Sequence, residues 1–150
     1  MNPTNDAVAW SHTVLGIFTE SIQVGELSTG LRVLSNLSES QRLDFIEISS
    51  TLLSDAMDGY IPTAPARLST FGGIMLPHAS DLDVRGYVTL ARGVLVSTWN
   101  GNAGERVTDL VDRMGTRYAS SVVALAVAGM LLTWQSETNQ SLEGILDELR

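Results

Sequence analysis

Apolar residues recur along most of this chain at steps of three and four, the spacing that gathers them on one side of an α-helix. Trp10, Val14, Ile17, Phe18 and Ile22 form such a stripe in a first segment from about Asn5 to Val24. Asn5 or Asp6 suits its N-cap, because a short side-chain oxygen there accepts a free backbone N–H, and Gly25 ends it. Leu27, Leu31, Leu34 and Leu37 mark a second helix. Ser38-Glu39-Ser40-Gln41 then has the form of a capping box, with Ser at the cap and Gln three residues on. A third helix is predicted from Glu39 to about Met57. Leu43, Ile46, Leu53 and Met57 share one face, and Phe45, Ile48 and Leu52 widen it, so more than one side needs cover.

The helical period returns near Ser80 or Asp81, where Asp81 and Asp83 suit the positive end of a fourth helix. Val84, Tyr87, Ala91, Val94, Leu95 and Trp99 carry it onward, and Asn100-Gly101-Asn102 stops it. A fifth helix, Ala103 to Met114, shows Val107, Leu110, Val111 and Met114. Gly115 breaks it, and a sixth runs from Thr116 to about Gln135. A short last helix, Ser141 to Leu149, aligns Leu142, Ile145, Leu146 and Leu149. No sheet pattern and no internal repeat of fixed period appears. The expected fold is all-α: a single-domain bundle of six or seven helices around the segment 116–135.

That segment is the most distinctive stretch. Tyr118 to Ser136 holds no charge over nineteen residues, and Val122 to Leu132 is entirely apolar or small. Three arrangements meet its need for cover. A buried central helix would pack closely through Ser120, Ala124 and Ala128, which lie four apart on one face. A membrane span over 118–134 would be flanked by Arg117, Tyr118 and Trp134 at the interfaces. A third arrangement sets the helix against its copy, which is compatible with the first, and a homo-oligomer is expected in preference to a monomer. The amphipathic helices elsewhere need an aqueous core of their own, so burial is the expected outcome.

Between the third and fourth helices, Gly59 to Ser80 breaks the pattern with Pro62, Pro65, Pro77 and the Gly72-Gly73 pair. It is long for a structureless connection in a compact domain. It is also apolar, with Arg67 its only charge besides whatever His78 carries. A small hairpin around Gly72-Gly73 would pair Leu68–Phe71 with Ile74–Leu76. Ile61, Leu68, Phe71, Ile74, Met75 and Leu76 are the candidate partner-binding surface, since exposed apolar area of this extent marks an interface.

Charge narrows the partners. Nine basic against seventeen acidic residues leave a net charge of −8 over 150 residues, and no basic run occurs. Phosphate neutralisation needs clustered Lys and Arg, so nucleic acid is not an expected ligand. The second and third helices have the layout of a helix-turn-helix. The end that would meet DNA shows Glu39, Asp44 and Glu47 beside Gln41 and Arg42, which would repel phosphate. All nine basic residues are Arg, which excludes Schiff-base chemistry by a Lys side chain and a Walker-type Lys. The missing Lys is read as codon bias in a GC-rich genome, such as that of an actinobacterium or its phage. With no Cys there is no disulfide, thiolate metal site or Cys nucleophile. The first ten residues carry no basic n-region and no apolar h-region, so the expected location is the cytoplasm.

Candidate chemistry is sparse. His12 and His78 are far apart and read as surface histidines. Carboxylates pair at helical spacing in Asp55 with Asp58, Asp109 with Asp112, and Glu143 with Asp147. Two such faces together would suit Mg²⁺, as in the all-helical nucleotide pyrophosphatases. This chain departs from their pattern, lacking the closely spaced Glu pairs and any Lys for phosphate. Glu105, Asp109 and Asp112 come nearest to it. No metal and no cofactor is expected. The leading expectation is a small acidic protein acting through protein–protein contacts, in an accessory, regulatory or assembly role. A Mg²⁺-dependent hydrolase and a single-span membrane protein are the alternatives.

Overall fold

The computed structural model describes residues 5–24, 27–60, 82–138, 141 and 143–144, and among these it holds six helices and no strand. They are α1 (Asn5–Gln23), α2 (Leu27–Ser35), α3 (Glu39–Tyr60), α4 (Leu82–Trp99), α5 (Ala103–Met114) and α6 (Thr116–Thr138). The all-α bundle expected from the spacing is therefore the fold. The expected hairpin around Gly72-Gly73 and most of the expected helix over Ser141–Leu149 lie outside the described residues.

The capping box forms as its residues dictate. The Ser38 backbone N–H donates to Gln41 Oε1 at 2.9 Å, and the Gln41 N–H donates to Ser38 Oγ at 3.1 Å. The α5–α6 junction is a single residue. Gly115 takes φ 84°, a left-handed value that favours glycine, and its N–H donates to the Val111 carbonyl at 2.9 Å. The Ala119 N–H already returns to the Gly115 carbonyl at 3.1 Å, so the chain turns and resumes helix at once.

α6 packs against all five other helices, most extensively against α3. Every residue from Ala119 to Leu132 is buried. The hydroxyls of Ser120 and Ser121 donate to the Arg117 carbonyl at 3.0 and 3.1 Å, which offsets the cost of burying them. Phe18, Leu34, Phe45, Leu53 and Leu95 are nearly or wholly inaccessible and fill the space around this helix. No described helix is long and apolar enough to cross a membrane. Residues 119–132 are covered by their own chain, which leaves that stretch no free face for a second copy.

Polar side chains set the directions. Gln23 Nε2 donates to Gln135 Oε1 at 3.0 Å, joining the C-terminal ends of α1 and α6. Arg42 does the same at the other end. Its guanidinium is buried, with Nη1 donating to the Leu37 carbonyl at 2.6 Å and Nε to Thr116 Oγ1 at 3.1 Å. The turn before α3 is thereby tied to the first residue of α6. Turned inward, Arg42 is not offered to a phosphate, which removes the one basic group at the start of the would-be recognition helix.

Four positions depart from the spacing. Leu43, Ile17 and Met114, expected on apolar faces, are 46%, 39% and 46% exposed. His12, expected at the surface, is buried at 5%. The inner face of α1 is the mixed series Ser11, His12, Leu15, Phe18, Thr19 and Ile22, so polar residues occupy positions that apolar spacing does not report.

α1 and α2 meet at Gly30, where a Cβ would lie 2.7 Å from both Phe18 Cδ2 and Ser21 Oγ. Phe18 is buried and has nowhere to move. Gly30→Ala is expected to cost more than the ~1 kcal/mol that Ala gains in helix propensity, a net loss of about 1 kcal/mol by urea unfolding. A more stable variant would show that the two helices separate freely. Arg42→Met leaves the Leu37 carbonyl and the Thr116 hydroxyl without their donor, and is expected to cost about 1–3 kcal/mol in the same assay. An unchanged midpoint would mean that the tie holds nothing.

Candidate functional site

α3 and α5 both rest on α6 and touch each other only lightly. Between them opens a groove of about 350 Å³. Leu43 and Ile46 from α3 face Val107 and Val111 from α5, giving an apolar floor. Leu43 is the exposed member at 46%, whereas Ile46 and Val107 are buried at 5% and 8%. α5 is short and strongly two-faced. Its apolar stripe is wider than the strip α6 covers, so Val107 and Leu110 are buried while Met114 is 46% exposed. At Gly104 one wall carries no side chain, and a Cβ placed there would meet nothing within 4 Å.

The polar groups are few and placed at the margins. Glu47 on α3 and Asp112 on α5 are both exposed, one on each wall. Among the described residues no Arg lines the groove. Thr51 and Thr108 add hydroxyls. Ser50 also lines it, and its hydroxyl oxygen is inaccessible and makes no hydrogen bond. A buried hydroxyl without a partner costs free energy, and this one lies beneath the groove's surface, out of an occupant's reach.

The residues singled out in the sequence scatter. Ile61, Leu68, Phe71, Ile74, Met75 and Leu76 lie outside the described residues, as does His78. Of the candidate metal ligands, Asp109 is engaged by Arg113, whose Nε lies 3.1 Å from Oδ1. Asp112 faces the groove instead. Among the described residues no group of three or more His, Asp or Glu side chains is placed to hold a metal ion. His12 is buried in α1 and contributes to no such cluster. The partners Asp58 and Asp147 fall outside the described side chains.

The groove itself was not foreseen. Its only trace in the sequence is that α3 is apolar on several sides while α5 is too short to cover the extra one. No family model matches the chain, and no curated protein and no solved structure is significantly similar to it.

Two leucines of α3 separate the groove from the core. Leu53 is fully buried, so Leu53→Ala is expected to cost about 2–5 kcal/mol in urea unfolding. Leu43→Ala removes a side chain already half in water, and is expected to cost less than about 1 kcal/mol. Equal losses would mean that Leu43 is covered and the groove closed.

Proposed function

We propose that this chain is a small acidic protein-binding module and that it takes a segment of a partner protein into the α3–α5 groove. The observation that carries the proposal is an open apolar floor between α3 and α5, with Leu43 half exposed at its edge. Apolar surface that is concave, open and rimmed by polar groups is the usual mark of a binding site. An accessory, regulatory or assembly role in the cytoplasm goes with this function. A second apolar contact over Ile61, Leu68, Phe71, Ile74, Met75 and Leu76 belongs to the same proposal. A hydrolytic role for Asp109 and Asp112 draws less support, because Asp109 already neutralises Arg113 and Asp112 faces away toward the groove.

The test compares three tagged forms of the chain in affinity capture read by mass spectrometry. They are the natural sequence, Leu43→Asp with Val111→Asp, and Phe71→Asp with Met75→Asp. Helix content by circular dichroism serves as the folding control. A partner held by the natural chain and lost, by about tenfold or more, from the first variant supports docking in the groove. Loss from the second variant alone moves the contact to the 59–80 segment. Equal capture by all three overturns both surfaces.

A further inference from the structure

We infer that the occupant of the α3–α5 groove is a basic amphipathic helix of another protein, an inference that rests on the docking function proposed above. Three observations lead to it. The first is length. Each wall lines the groove over eight steps of helix, from Leu43 to Thr51 and from Gly104 to Asp112, or about 12 Å. That is a little over two turns, the span of apolar residues at positions i, i+4 and i+7 of one helix.

The second is hydrogen bonding. The α3 wall and the α5 wall from Val107 to Val111 lie inside helices, whose backbone N–H and C=O groups are spent on their own turns; the first-turn N–H of Gly104, at one end, is the exception. An extended segment laid on this floor would find no backbone partners over most of its length and would bury unpaired polar groups. A helix brings its backbone already satisfied and presents only side chains.

The third is charge. Glu47 and Asp112 stand on opposite rims, and among the described residues no cation lines the groove to offset them. Arg113, one residue beyond, is paired with Asp109. Charges flanking an apolar stripe therefore face carboxylates on both sides, which favours Lys or Arg there and disfavours Asp or Glu. A second copy of this chain is a poor occupant on this ground, since its net charge is −8.

The test uses the full chain and designed peptides of about 18 residues, long enough to hold a helix in water. One carries a Leu stripe flanked by Lys. Its twin replaces each Lys with Glu, and a third form keeps the Lys and places Pro mid-stripe. Binding is read by fluorescence anisotropy, with NMR shifts to locate it. The basic helix is expected to bind at least about tenfold tighter than its acidic twin, with the gap shrinking as salt rises from roughly 50 to 500 mM. The double variant Glu47→Arg with Asp112→Arg is expected to reverse the preference. Asp6→Arg with Glu20→Arg makes the same change in net charge on α1, outside the groove, and is expected to keep it. Equal effects of the two variants would reduce the preference to overall charge and overturn the inference. So would equal binding of the Pro-broken peptide, which would make the occupant an extended segment. If no peptide shifts the groove residues while Leu43→Asp with Val111→Asp still loses the native partner, docking stands and the basic helix falls. If that variant also keeps the partner, both fall. Self-association lost in the groove variant, read by sedimentation, would assign the groove to a second copy instead.

Discussion

Residues 119–132 of α6 are apolar or small throughout, and in water such a helix survives only if every side of it is covered. The other five helices are arranged to satisfy that single demand, and each of them touches it. The small side chains Ala119, Ala124, Ala126 and Ala128 allow neighbours to approach closely, while Val123, Leu125, Met130 and Leu131 fill the spaces left between them. Hydroxyls within the stretch turn back on the helix's own carbonyls, so burial leaves few polar groups unpaired.

The cover is held in place by a few polar ties at its ends. Arg42 binds the α2–α3 turn to Thr116, and Gln23 binds α1 to Gln135. Burying a guanidinium is costly unless its donors are used, and two of them are. Such contacts specify which end of α6 each helix meets, something nondirectional apolar packing does poorly. The one-residue link at Gly115 adds a further constraint. It forces α5 to fold straight back beside α6, and twelve residues of α5 cannot roof the full length of α3. The groove is the consequence: two helices lean on the same centre, and neither is wide enough to close the gap between them.

Function follows from that gap rather than from any reactive group. The floor supplies apolar area, the rims supply two carboxylates, and the helical walls supply almost no free backbone. These three properties together select for a side-chain surface with complementary charge. They say little for chemistry on a substrate, because the carboxylates of α5 diverge: Asp109 turns to Arg113 and Asp112 to the groove.

The sequence by itself determined the helices, because their signals are local. A capping box is four adjacent residues, a stop is one glycine, and an amphipathic period repeats within a few turns, so α3, α5 and the α5–α6 break were legible where they stand. It also determined that 119–132 had to be covered, since no charge interrupts it. Tertiary structure alone decided what covers it, which end meets which, and which apolar residues are left over. Leu43 and His12 show why. Helical spacing places a residue on a face, but whether that face is roofed depends on a helix dozens of residues away and on how far it reaches. The groove lies between α3 and α5, whose facing residues are about sixty positions apart, and no local pattern carries that distance.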